Sequence, residues 1–267
     1  MAPVSESQQI LAVIAGLAVG FALGVIGGGG SILAVPLLLY FVGIRDPHEV
    51  IGTTALAVSA NAYINLIPHW RSGNVRWRAA VGFAIPGAVG AWAGSTVGKL
   101  VHGADLLFLF AVLMLVVGAL MLRERSARET GQDHWRRHML VRVIPAGLVV
   151  GLVSGFFGIG GGFLIVPGLI FSTGLPMINA IGSSLFSVGT FGLTTAVNYA
   201  LSGLVNWLVV LDYVIGGTLG GILGARLANR LAHRKRALNM VFSGVVFVVA
   251  LYMIASNLGP LLHGFGR

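Results

Sequence analysis

Apolar residues run in long continuous blocks along this chain, at roughly 10–43, 50–68, 79–98, 104–122, 140–174, 178–201, 205–229 and 237–256. The blocks do not alternate with a period of two, so they predict helices and not the strands of a barrel. Six have the length of one membrane span. The first and fifth are longer. As a single helix, residues 10–43 would reach about 51 Å at 1.5 Å per residue, against a hydrocarbon core of ~30 Å. Each long block carries a glycine cluster near its middle, which predicts a broken element. A hairpin of two crossing helices and a re-entrant hairpin both fit.

The two clusters are copies of each other. Residues 24–36 read G-V-I-G-G-G-G-S-I-L-A-V-P and residues 155–167 read G-F-F-G-I-G-G-G-F-L-I-V-P, 131 positions on. Gly52-Thr53-Thr54 returns as Gly182-Ser183-Ser184, and the Ser72–Trp77 stretch S-G-N-V-R-W returns as S-G-L-V-N-W at Ser202–Trp207, both offset by 130. The chain is therefore read as one transmembrane domain of 267 residues built from two units. Repeat 1 covers about 10–122, a cytoplasmic loop 123–139, and repeat 2 about 140–257. Paired helix-breaking clusters in corresponding positions point to a transporter binding site.

Composition agrees with the hydrophobic pattern. Hydrophobic residues make up 56% and charged residues 9%, with a mean hydropathy of +0.91. A soluble domain carries about 25% charge, so this is an all-α integral membrane protein. The net charge of +9 does not signal nucleic acid. Its Arg and Lys cluster in short loops, at Arg123–Arg142 and Arg230–Arg236, as the positive-inside rule requires. Eight single spans would put those two loops on opposite sides. If the first and fifth blocks go in and return, both basic loops fall in the cytoplasm, with Arg71, Arg76 and Arg78, and both termini lie outside. The two repeats, each of about five helical elements, are then inverted. The N-terminus lacks the basic region of a signal peptide, so the first block is read as a retained membrane segment. The protein belongs in a bacterial cytoplasmic (inner) membrane, with the lipid bilayer as its solvent. A homodimer is left open.

The candidate site is built from neutral donors. Gly28, Gly29, Gly30 and Ser31, with Gly160, Gly161 and Gly162, break the helices, and each new helix start offers free N–H groups and a dipole to an anion. Two inverted copies would point two such termini at one centre. Thr53 and Thr54 match Ser183 and Ser184 and are expected to meet near the symmetry axis. Asn61, Asn65 and Asn198 extend the polar set. Each also fits interhelical hydrogen bonding. The spaced glycines Gly16, Gly20 and Gly24, Gly87, Gly90 and Gly94, and Gly217, Gly220 and Gly224 read as close helix packing. Asp212, about 7 Å past the interfacial Trp207 at helical rise, is a proton-coupling candidate. Its repeat counterpart is Gly82, so symmetry does not support it.

Several classes are excluded. The chain has no Cys, and no H-E-x-x-H, G-x-S-x-G, P-loop or Rossmann context occurs, so no enzyme, resident metal or cofactor is expected. The paired G-x-x-G-x-G-G stretches, the G-[TS]-[TS] elements and the repeated S-G-x-V-x-W resemble the TauE/SafE sulfite-exporter family over about residues 10–257. The first stretch departs from the second, with Gly28 where the second has Ile159. The resemblance implies export of small sulfur oxyanions or organosulfonates, coupled to protons. The residues themselves lead only to an anion site between inverted repeats. A secondary transporter for sulfite, sulfoacetate or thiosulfate is the leading reading. A passive anion channel with the same site is the alternative.

Overall fold

The computed structural model describes residues 4–26, 28–123, 140–158, 162–230 and 244–256. All regular structure among them is helical: α1 (Glu6–Ile26), a 3-10 turn (Gly28–Leu33), the short α2 (Ala34–Pro36), a π turn (Leu37–Phe41), α3 (Pro47–Arg71), α4 (Trp77–Leu100), α5 (Gly103–Arg123), α6 (Leu140–Phe157), α7 (Gly162–Thr173), α8 (Met177–Ala200), α9 (Trp207–Arg230) and α10 (Gly244–Ser256). Five helices are long and apolar enough to cross a membrane: Glu6–Val25, Pro47–Arg71, Trp77–Leu100, Met177–Ala200 and Trp207–Gly224. The first and fifth apolar blocks are indeed broken, into α1 with the turns around α2, and into α6 with α7.

Local signals set the helix ends. Asp46 caps α3 by accepting the His48 N–H at 2.8 Å, with Pro47 in the first turn, where its missing N–H costs nothing. The next connection turns at Gly73, and its equivalent in the second unit turns at Gly203; both have φ +71°, which glycine adopts without strain.

Helix directions follow from which residues meet. Between α3 and α8, Gly192 approaches Ala55 and Ser59, Ser59 meets Gly189, and Tyr63 meets Phe186. Numbers rise on one helix as they fall on the other, so the two cross antiparallel. Ser59 and Gly189 are themselves 130 positions apart. By contrast α3 and α9 run the same way: Thr53 meets Asn206, Asn61 meets Gly217 and Asn65 meets Gly221. So do α8 and α4, through Ser183 with Arg76 and Phe191 with Gly87.

Gly16 and Gly20, Gly87, Gly90 and Gly94, and Gly217, Gly220 and Gly224 pack closely, as their spacing predicts. A Cβ on Gly20 would lie 2.0 Å from the Gly217 carbonyl oxygen, and one on Gly151 would lie 2.0 Å from that of Gly87. Gly220 approaches Leu17, and Gly90 approaches Leu148. Small residues let the backbones of α1 and α9, and of α6 and α4, touch directly. Outward, Val81, Ile85, Val89 and Trp92 on α4 and Leu211, Ile215, Leu219 and Ile222 on α9 are exposed. These stripes are 130 apart, position for position, and suit contact with lipid tails.

The placement of the glycine clusters corrects the sequence expectation. Gly30 folds back onto Ala22 and Leu23 of α1, so the first break is the tip of a tight hairpin. The pairings of Gly20 with Gly217 and Gly224 with Phe21 bring that tip level with the end of α9. The second break begins at Gly158, beside Ile51 in the first turns of α3. Because α3 parallels α9, Gly30 and Gly158, the described residues flanking the two breaks, lie toward opposite ends of the helix stack and not together at one centre. The physical reason is length. The first limb, α1, has 21 residues, about 31 Å of helix, so Gly30 falls level with the last turns of α9 and not halfway along it.

Candidate functional site

The core of the polar site is the α3–α8 pair. Thr53, Thr54, Asn61, Ser183, Ser184, Ser187 and Thr195 are fully buried, and Ser59, Asn65 and Asn198 nearly so. Among the described residues no Lys, Arg, Asp or Glu is fully buried, so the interior is polar without being charged. At the crossing, Ser59 donates to the Gly189 carbonyl at 2.6 Å, and Tyr63 and Thr190 share a hydrogen bond of 3.2 Å.

The repeated G-[TS]-[TS] elements serve a task that their sequence did not announce. Thr53 Oγ1 accepts the backbone N–H of Asn206 at 3.0 Å, and Ser183 Oγ accepts that of Arg76 at 2.9 Å. Gly52 and Gly182 let α3 and α8 approach the carbonyls of Leu204 and Asn74. Each element thus grips the S-G-x-V-x-W connection of the other unit. Thr54 donates to Val50 and Ile51, and Ser184 to Ile181, within their own helices. The expected meeting of these residues at the axis does not occur. Thr53 and Ser183 lie six positions before the Ser59–Gly189 crossing on antiparallel helices, about 18 Å apart along them at helical rise. Their hydroxyls hold the connections at opposite ends.

The asparagines divide into two kinds. Asn198 is fully engaged. Its Nδ2 reaches Ser95 Oγ at 2.7 Å and Thr96 Oγ1 at 2.9 Å, and its Oδ1 accepts from Lys99 Nζ at 2.7 Å. Lys99 also donates to the Asn198 carbonyl and to Ser202 Oγ. Asn65 donates to the Asn61 carbonyl at 2.9 Å. Asn61 is different. Its amide lies against Gly217, and neither Nδ2 nor Oδ1 has a partner among the described residues. An unsatisfied buried polar group costs about 1–3 kcal/mol, so Asn61 is the strongest ligand-facing candidate among the residues picked from sequence.

Gly28, Gly29 and Gly30 open the 3-10 turn, which packs against α1 and α7, and Ser31 within it is fully buried. Gly162 opens α7. Gly160 and Gly161 lie outside the described residues. Asp212 is half-buried on α9, with Oδ2 enclosed and without a partner among the described residues. Sequence reasoning passed over Lys99 and the next residue on α9, Tyr213. Tyr213 is fully buried, and its hydroxyl has no partner among the described residues. The available signal was the comparison of the two units, which sets Tyr213 against Phe83. No group of three His, Asp or Glu among the described residues could hold a metal ion.

Comparison with known proteins agrees with this architecture. The chain is 53% identical over 246 residues to a probable membrane transporter protein of Xylella fastidiosa (strain 9a5c), covering 92% of this chain and 94% of the relative. A probable membrane transporter protein of Bacillus subtilis (strain 168), YunE, is 26% identical over 78% of this chain and 84% of its own length. One of Methanocaldococcus jannaschii is 29% identical over 71% of this chain and 70% of its own. No solved structure matches the chain. The profile of the family described as sulfite exporter TauE/SafE matches residues 12–253. With that match, and with helices packed glycine-to-backbone around an uncharged polar interior, the chain belongs to the TauE/SafE family of multi-pass membrane transporters.

Proposed function

We infer that the protein is a secondary transporter that exports a small sulfur-containing anion, such as sulfite, sulfoacetate or thiosulfate, across the cytoplasmic membrane. The observation that carries this reading is the antiparallel crossing of α3 and α8 at Ser59 and Gly189, equivalent positions of the two units. Corresponding helices of opposite direction meeting at the centre favour inverted repeats, the architecture of alternating access. The buried set around the crossing consists of hydroxyls and amides. Neutral O–H and N–H donors replace the hydration of an anion without trapping it in an ion pair. In this reading the two glycine clusters act as the two mouths, and Ser31 and the start of α7 line the way inward.

An ion gradient is the energy source in this reading, and Asp212 is the proton carrier, supported by its enclosed Oδ2, which has no partner among the described residues. The test is flux in proteoliposomes holding the purified chain. Sulfite or sulfoacetate should move faster under an imposed proton gradient, and saturably. Asp212→Asn should abolish the gradient response and leave binding intact. Flux that neither saturates nor responds to any ion gradient would replace the transporter with the passive channel.

A further inference from the structure

The two units differ at the place where each fourth helix meets the third helix of the other unit. In one half, Gly87 on α4 faces Phe191, and the Phe83 and Phe191 rings stack with centroids 6.2 Å apart and planes at 23°. The positions 130 away give Gly217, Asn61 and Tyr213 in the other half. There the Asn61 amide rests on Gly217, as Phe191 rests on Gly87. Tyr213 lies one turn before Gly217, on the same face of α9. Asn61 and Tyr213 are both 0% exposed. The Asn61 Nδ2 and Oδ1 atoms and the Tyr213 hydroxyl have no hydrogen-bond partner among the described residues.

Packing does not require that polarity, since the equivalent positions of the other half carry two stacked phenylalanines. Leaving three polar atoms unpaired in a dry interior is costly. We propose that Asn61 and Tyr213 form a one-sided subsite that takes a small oxyanion still carrying a proton. This rests on the anion-transport reading above. Tyr213 O–H and the Asn61 amino group donate to the ionised oxygens. Asn61 Oδ1 accepts the remaining O–H of the ligand. A fully ionised oxyanion would set an oxygen against Oδ1 with no proton between them, so the carboxamide selects the protonated form. The ligand is therefore held off the symmetry axis, against α9 and α3.

Calorimetric titration of the full chain in nanodiscs tests this, with sulfite and sulfate as probes at mildly acidic pH, where sulfite is a hydrogen anion and sulfate is not. Tyr213→Phe removes one oxygen and reproduces the residue of the other half. Asn61→Leu keeps the volume and removes the amide. Each should weaken sulfite binding about tenfold or more, equivalent to ~1.4 kcal/mol, change sulfate binding less than twofold, and leave thermal stability unchanged or raised. If Asn61→Leu does not fold, Tyr213→Phe still decides. Sulfite binding equal to wild type in both variants would overturn the subsite and mark these atoms as water-filled or unsatisfied. A wild-type protein that prefers sulfate to sulfite would overturn the subsite and leave anion transport standing. Binding of neither probe, nor of sulfoacetate, would overturn both.

Discussion

Thr53 Oγ1 accepts the backbone N–H of Asn206 at 3.0 Å, across 153 positions of sequence. Asn206 in turn caps α9 by accepting from the Val209 N–H and donates to Glu49 at 3.0 Å. The start of α9 is thus fixed by α3 of the other unit. Ser183 repeats the bond to Arg76 at the start of α4. The two units are clasped at both ends of the α3–α8 pair by the same pair of sequence elements.

Removing either clasp should loosen the structure. Thr53→Ala leaves the buried Asn206 N–H without its acceptor, a loss of about 0.5–2 kcal/mol by comparison with helix caps, and Ser183→Ala removes the part-buried bond to the Arg76 N–H, with a loss toward the lower end of that range. Thr53→Ser should restore most of it. Thermal unfolding in detergent measures the effect, and a Thr53→Ala variant as stable as wild type would show that the bond carries nothing.

The glycine contacts should be intolerant in matched pairs. Gly20→Ala and Gly151→Ala each drive a Cβ to 2.0 Å from a backbone oxygen, which needs a helix to move and costs about 1–3 kcal/mol or more. Gly73→Ala and Gly203→Ala meet nothing within 4 Å and carry only backbone strain. Yield and thermal stability should therefore fall much further for the first pair than for the second.

Lys99 should matter more as a tether than as a charge. Its ammonium holds the Asn198 side chain and carbonyl and Ser202. Lys99→Met should cost about 1.5–3 kcal/mol, the range for hydrogen bonds to charged groups. If the cost arises from tethering, Asn198→Leu in the Lys99→Met background should add less than it does alone. Full additivity in that double-mutant cycle would refute the coupling.

Sidedness is testable directly in this chain without Cys. Cysteines placed at Arg128 and at Lys235 should both react with a membrane-impermeant reagent only from the cytoplasmic side, because both loops are basic. Both sites lie outside the described residues. Labelling from opposite faces would contradict the inverted arrangement.

Ligand charge gives a further check on the proposed site. Sulfoacetate should bind measurably, and a cation or a neutral sugar should not. Taurine should bind more weakly than sulfoacetate, since no fully buried carboxylate among the described residues awaits its ammonium. Equal thermal shifts with taurine and sulfoacetate would reject a site made from neutral donors.

Much of this protein is legible in its sequence, because a membrane constrains a chain in one dimension. Apolar length sets the helices, every backbone group must be satisfied within them, and the spaced glycines declare close crossings. The match of Gly52-Thr53-Thr54 with Gly182-Ser183-Ser184 is also legible there, and it is what suggests two related units. What sequence spacing does not carry is which helix each motif meets. Only the tertiary structure decided that Thr53 belongs to Asn206 and not to its own counterpart Ser183. It likewise decided that Gly30 and Gly158 lie toward opposite ends of the stack, because α1 runs 21 residues before it turns. The polar contrast between Asn61 with Tyr213 and Phe191 with Phe83 was present in the letters. It became chemistry only when folding buried those atoms without partners among the described residues, since the cost of an unpaired polar group depends on what surrounds it.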